Sequence, residues 1–201
     1  MLVREADSHA NTGRSSQRSA SHATTMTRVR RCELPGNALL RRYHDAVSHA
    51  DCYCIEIRES VPLHAFVEAF YTTALFEIER ALLSRVAHRP STDQEARQLA
   101  LGTSDTFAAW RVEGRDLDQL LVKAGRTRSW FMVARDSEGA AAGTGTRLYF
   151  GSAVVPVVTA AGGARLGLAF HALLGFHALY SRALLRAAAS RLERRRVGGA
   201  S

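Results

Sequence analysis

The chain has 201 residues, which is room for one ordinary domain with some excess. Hydrophobic residues make up 46% of it and charged residues 23%, a balance that excludes a wholly disordered chain. The net charge of +8 suits an anionic partner, but much of the excess lies at the two ends and no nucleic-acid-binding motif accompanies it, so nucleic acid is not favoured.

Residues 1–25 are rich in Ser, Thr, Ala, His and Arg and lack the apolar core of a secretory signal. Glu5 and Asp7 argue against an organelle transit peptide, because such peptides avoid acids. We predict a disordered basic tail over residues 1–35, a single α+β domain over residues 36–197 and a flexible C-terminus over residues 198–201. The sequence leaves open whether translation begins at Met26, and so whether residues 1–25 belong to the natural protein.

The first predicted strand covers residues 51–58, where bulky apolar residues alternate with smaller or polar ones. Pro62 then suits the first turn of a helix, and apolar residues at steps of three and four extend that helix to residue 86. Thr72 and Thr73 are adjacent β-branched residues that predict an interruption. A capping box over residues 91–94 begins a short helix that ends at Gly102.

The three cysteines, Cys32, Cys52 and Cys54, include no CxxC pair and no disulfide-framework spacing. This usage fits a reducing compartment, so we predict a cytoplasmic protein. Cys52 and Cys54 lie two apart and share one face of the predicted strand. Because their spacing matches no standard zinc arrangement, we interpret them as packing residues and predict no metal site and no cofactor.

From residue 106 the alternation is typical of strands, at residues 106–116, 119–124, 126–136 and 146–155. Short turns separate the first three, and the Gly- and Ala-rich residues 137–145 form a longer loop. Consecutive hairpins predict an antiparallel meander, but the alternation does not identify its inward face. The uncharged residues 148–164 contain Pro156 and several glycines, so we predict a strand and a loop there and no transmembrane segment.

The clearest periodic signal is a helix over residues 164–196. At about 100° per residue it has one narrow stripe, which contains Leu166, Phe170, Leu173, His177, Tyr180, Leu184 and Ala188, and Arg182 falls on the opposite side of the helix. We predict that this stripe faces the sheet. The basic run 194–196 stands in the last turn, where cations favour the negative end of the helix dipole, so it has a structural explanation.

This order of strand, helices, antiparallel meander and long terminal helix resembles the helix-grip fold of the START-like superfamily, which includes polyketide cyclases (SRPBCC proteins) and pollen-allergen-type lipid carriers. Residues 51–58, 62–86, 106–155 and 166–196 carry the resemblance by their architecture. It implies an α+β fold with an antiparallel sheet wrapped around a long C-terminal helix and an apolar cavity between them. Residues 126–130, 146–151 and 176–185 are also similar to bacterial proteins of unassigned function, which implies a fold and no activity.

No GxSxG, P-loop, HExxH or Rossmann glycine motif occurs, so enzymes that need those motifs are disfavoured. The polar pair His177 and Tyr180 interrupts the apolar stripe and needs hydrogen-bond partners if it is buried. Both side chains either complete a packed core or line the cavity. The candidate cavity-lining residues are His177, Tyr180, Leu173, Trp110, Trp130, Arg128, Arg147 and Tyr149.

We expect a non-catalytic binding module that holds a small apolar or amphipathic ligand between the sheet and the C-terminal helix. One alternative is an enzyme of the cyclase, dehydratase or isomerase type that uses His177 and Tyr180. Another is a binder of anionic surfaces through the terminal arginines. The binding module is favoured because acids are scarce on the predicted inner surfaces, which leaves His177 without an acidic partner. The sequence determines neither the ligand nor the oligomeric state.

Overall fold

The computed structural model describes residues 28–43, 49–87, 91–135, 145–155 and 168–198, and within these ranges it describes all side chains except those of residues 49, 79, 82–87, 168–177 and 196–198. These residues form an α+β fold around a seven-stranded antiparallel sheet. The strands are β1 (Arg30–Arg31), β2 (His49–Ile57), β3 (Thr106–Phe107), β4 (Trp110–Arg115), β5 (Gln119–Ala124), β6 (Thr127–Arg135) and β7 (Thr146–Val154). Their spatial order is β1-β2-β7-β6-β5-β4-β3.

The meander predicted from the alternation is confirmed from β4 to β7, where each strand pairs with the next. Gly125 makes the tight turn between β5 and β6 in the left-handed region, with φ 55°. The strand predicted over residues 106–116 is divided in two, because Ala108 turns the chain at φ 49° and folds β3 back on β4. Two alanines carry no turn signal, so the sequence analysis misses this hairpin.

The helices are α1 (Leu63–Tyr71), α2 (Ala74–Ala87), α3 (Asp93–Leu101) and α4 (Leu168–Gly198). The interruption predicted at Thr72 and Thr73 separates α1 from α2, and the Thr73 hydroxyl accepts a hydrogen bond from the Phe76 backbone N–H at 3.2 Å. The predicted capping box is displaced by one residue. Thr92 and Glu95 form it, because Ser91 instead accepts a hydrogen bond from Arg80 Nε at 3.2 Å.

The helices cover one side of the sheet, which we call the helix face. Alternate strand residues such as Ile55, Phe131 and Phe150 point from the sheet into this core. Phe66 and Phe70 on α1 meet them, with the Phe70 and Phe150 ring centroids 4.6 Å apart. The described interior beneath α1 is therefore filled by aromatic side chains in contact.

The other side of the sheet is covered by residues 32–43, and we call it the segment face. Leu40, in a short 3-10 helix (Leu39–Tyr43), packs there against Cys52 and Trp130. Residues 28–35, which the sequence assigns to a disordered tail, belong to the fold, because β1 pairs with β2 and Val29 is buried in the core. A two-residue strand among arginines has no periodicity that would reveal it. Residues 1–27 lie outside the described residues.

The C-terminal helix α4 packs on the sheet at β2, as the fold class predicted, and it also contacts α1. Leu184 and Ala188 of the predicted stripe are buried in the helix-face core, together with Leu185 and Leu192. Ala178 and Tyr180 are half-buried against the same core. Among the helices that the structure describes, none has the length and apolar character needed to cross a membrane.

Candidate functional site

The sequence-predicted candidates are divided between the two faces of the sheet. Trp110 and Tyr180 belong to the helix face. Trp130 and Tyr149 belong to the segment face, and Arg128 joins them there through its contact with Tyr43. The structure therefore does not gather these candidates around one cavity, because neighbouring residues on a strand project to opposite faces.

Trp110 is part of the aromatic core and is 7% exposed. Its ring centroid lies 5.3 Å from that of Phe76 and 6.0 Å from those of Tyr71 and Phe107. These neighbours belong to α1, α2 and β3, so Trp110 connects the hairpin to the helices. Aromatic contacts of this kind stabilise a core, and they account for Trp110 without a ligand.

Trp130 is completely buried on the segment face, and its indole N–H donates to Gln119 Oε1 at 2.9 Å. The same oxygen accepts the Leu39 backbone N–H at 2.9 Å, while Gln119 Nε2 donates to the Asn37 carbonyl at 3.1 Å. Gln119 thus joins the sheet to residues 37–39. Tyr149 lies beside Trp130 with ring centroids 6.2 Å apart, and burial raises the pKa of its phenol.

Arg128 pairs with Glu113, with Nε and Oε2 2.7 Å apart, and its guanidinium lies 5.0 Å from the Tyr43 ring centroid. The Tyr43 hydroxyl donates to the same carboxylate. Glu113 is the extra residue of a β-bulge, since Val112 pairs with Val122 and Gly114 with Leu121. The bulge turns Glu113 towards the segment face, where the three side chains hold the 3-10 helix on the sheet.

Arg147 on β7 pairs with Glu56 on β2, with Nη2 and Oε1 3.0 Å apart. Arg30 on β1 reaches the same oxygen at 2.5 Å. Arg147 thus helps to place Glu56 between two guanidinium groups at the β1 edge of the sheet. His177 and Leu173 lie within α4, but their side chains are outside the described residues.

A groove of about 480 Å³ lies at this same edge, between β1 and α4. Arg28, Val29 and Arg30 line it from the N-terminal segment, Glu56 from β2 and Arg182 from α4. Arg182 also contributes an electrostatic field at Tyr53, whose phenol pKa is raised chiefly by burial. The groove therefore combines guanidinium groups with one buried apolar residue, Val29.

Sequence reasoning missed this groove. It assigned Arg28, Val29 and Arg30 to the tail, and it placed Arg182 on the α4 surface opposite the apolar stripe. Arg182 is exposed, so that placement agrees with the structure, yet the exposed side faces the groove. The only local signal is one valine between two arginines, and a pattern of three residues is too short to predict a binding site.

Beside the groove, the thiols of Cys32 and Cys52 are 3.2 Å apart, and Arg30 Nε donates to Cys54 Sγ at 3.3 Å. Cys52 and Cys54 are buried on one strand, which agrees with their predicted shared face. The hydrogen bond with Cys52 raises the pKa of Cys32 to about 12, and the hydrogen bond with Cys32 followed by burial raises that of Cys54. The Cys32 and Cys54 thiols are therefore protonated at neutral pH.

No group of three or more histidine, cysteine or acidic side chains that could hold a metal ion occurs among the residues that the structure describes. Comparison with protein-family models, with curated proteins and with solved structures finds no match to this chain.

Proposed function

We propose that this domain is a non-catalytic binding module for a small amphipathic ligand with an acidic head group, held in the groove between β1 and α4. The observation that carries the proposal is the convergence of Arg28, Arg30 and Arg182 around Val29. These residues come from opposite ends of the chain, and the fold brings them together at one sheet edge.

The charge of the groove favours an anion. The Glu56 carboxylate is shared by Arg30 and Arg147, so its negative charge is already compensated. Across the described ranges of the chain, the side chains of Arg28 and Arg182 form no ion pair or hydrogen bond. Two guanidinium groups therefore remain to bind a carboxylate, sulfate or phosphate, which arginine recognises through paired N–H donors.

The size and floor of the groove favour a ligand with an apolar part. Its volume of about 480 Å³ lies within the range of small-molecule sites. Val29 is 6% exposed, and it connects the groove to the helix-face core. The aliphatic stems of the arginines add further apolar surface beneath their charged ends.

The test compares dodecanoate with dodecanol, which share the alkyl chain and differ in the acidic head. Isothermal titration calorimetry below the micelle concentration should detect binding of dodecanoate to the full chain and much weaker binding of dodecanol. Arg182→Ala should weaken dodecanoate binding about tenfold or more, since a hydrogen bond to a charged group contributes roughly 1.5–3 kcal/mol.

Arg194→Ala is the matched control, because Arg194 is an exposed arginine of the same helix, about 18 Å further along its axis. It removes the same charge from the molecule without altering the groove, so affinity should stay at the wild-type value. Equal affinity for both amphiphiles, equal losses in the two variants, or no binding of either amphiphile would contradict the proposal.

A further inference from the structure

The three cysteines meet where the N-terminal segment joins the sheet. β1 pairs with β2 so that Arg30 lies opposite Cys54 and Arg31 opposite Tyr53. Cys32 continues this register, and its backbone N–H donates to the Cys52 carbonyl at 3.0 Å. Cys32 and Cys52 therefore face each other across two antiparallel strands.

This placement suits a covalent bond between the two sulfurs. Directly opposed residues of a hydrogen-bonded antiparallel pair have Cα atoms about 5.5 Å apart, which is within the span that a disulfide bridges. The Cys32 and Cys52 sulfurs are already 3.2 Å apart. Small side-chain rotations would close this distance to a bond of about 2.05 Å without moving either strand.

We propose that Cys32 and Cys52 are a reversible disulfide site that joins residues 28–43 covalently to β2. The proposal is independent of the ligand-binding function. The oxidant is a peroxide, and the reductant that reverses the reaction is a dithiol.

The reaction begins at Cys32, because its side chain is partly exposed whereas Cys52 and Cys54 are buried. The Cys32 thiol first releases its proton, the thiolate attacks a peroxide oxygen and the O–O bond breaks, which leaves a sulfenic acid and a hydroxide. The hydroxide takes up the released proton and becomes water. The Cys52 sulfur then attacks the Cys32 sulfur, the S–O bond breaks, and the hydroxide leaves as water with the Cys52 proton. Two thiols and hydrogen peroxide thus give one disulfide and two waters.

Cys54 is the competing partner for the Cys32 sulfenic acid. It also hydrogen-bonds with Cys32, but Arg30 donates to its sulfur from the groove side. Cys52 instead lies opposite Cys32 in the strand register and in direct contact with its sulfur. The geometry therefore selects Cys52, and the identity of the bonded pair distinguishes the two routes.

The reaction is slow at neutral pH because little of Cys32 is present as the thiolate. The pKa of Cys32 is about 12, so only a small fraction of it is ionised near pH 7. That fraction rises about tenfold for each pH unit below the pKa, and the oxidation rate should rise with it. The site should thus respond to sustained and not to brief exposure to peroxide.

The test treats the full chain with hydrogen peroxide, alkylates the remaining thiols and maps the peptides without reduction. Chymotrypsin cleaves after Tyr53, between Cys52 and Cys54, so the map identifies the partner of Cys32. We expect a linked peptide pair containing Cys32 and Cys52, its loss on treatment with dithiothreitol, and faster formation at pH 9 than at pH 7.

Cys54→Ser should retain this linked pair, and Cys52→Ser should lose it while keeping the wild-type circular dichroism spectrum. The map of the wild-type chain alone is sufficient if a variant fails to fold. A dominant link from Cys32 to Cys54, irreversible oxidation of Cys32 without a link, or three intact thiols after prolonged exposure would each overturn the proposal.

Discussion

Gly151→Ala tests whether residues 28–43 really pack on the sheet. Gly151 lies in β7 opposite Cys52, in the middle of the segment face. A Cβ atom added there would stand 2.8 Å from Leu40 Cδ2, 2.9 Å from the Asp51 carbonyl oxygen and 3.1 Å from Trp130 Cε3. Leu40 and Trp130 are fully buried, so neither has an open direction in which to move.

The expected loss of stability depends on which atoms must move to make room for the added Cβ. The Leu40 methyl is the end of a flexible side chain, but the Asp51 oxygen belongs to the backbone of β2, which is paired with β7. Moving it strains the sheet ladder, so the cost should lie in the upper part of the 1–3 kcal/mol range for an overpacked core, about 2–3 kcal/mol. For a chain of this size, that corresponds to a melting temperature lower by roughly 4–12 °C.

The assay is thermal and urea unfolding of Gly151→Ala beside Gly36→Ala. Gly36 has nothing within 4 Å of an added Cβ, so its variant should differ from wild type by less than about 0.5 kcal/mol. If residues 28–43 did not cover β7, the crowding at Leu40 would vanish. A Gly151→Ala variant as stable as Gly36→Ala would therefore refute the packing of this segment.

Two further predictions concern the segment face. Gln119→Leu leaves the buried Trp130 indole N–H and the Leu39 backbone N–H without their acceptor, so urea unfolding should show a loss of at least about 2 kcal/mol. Adding Trp130→Phe should cost less in the Gln119→Leu background than in wild type, and equal costs would exclude this coupling. The pKa of Cys32 rises from 9.0 to about 12 on folding, so its contribution to stability is fully present below pH 9 and is lost as the pH rises towards 12. In urea unfolding at pH 8 and pH 10.5, Cys32→Ser should therefore lose less stability than wild type, and parallel losses would contradict this.

Part of the candidate site could be predicted from the sequence and part could not. The pairing of Cys52 and Cys54 on one face follows from the two-residue period of a strand, and both are buried as predicted. The same two-residue period does not identify the face of the sheet on which Trp130 lies, because residues on both sides of β6 are buried. Trp130 and Phe131 are each completely buried, one on each face. The sequence analysis expected one buried face of the sheet, so it could not distinguish residues that line a cavity from residues that pack in a core.

The sequence by itself determined the α+β class, the interruption between α1 and α2 and the long terminal helix. These features depend on local periods, β-branched residues and caps, which act within a few residues. Only the tertiary structure decided that β7 enters beside β2 and that Arg28 and Arg30 meet Arg182 at the sheet edge. The physical reason is that such contacts join residues far apart in the chain, through backbone pairing and helix packing that leave almost no trace in local sequence.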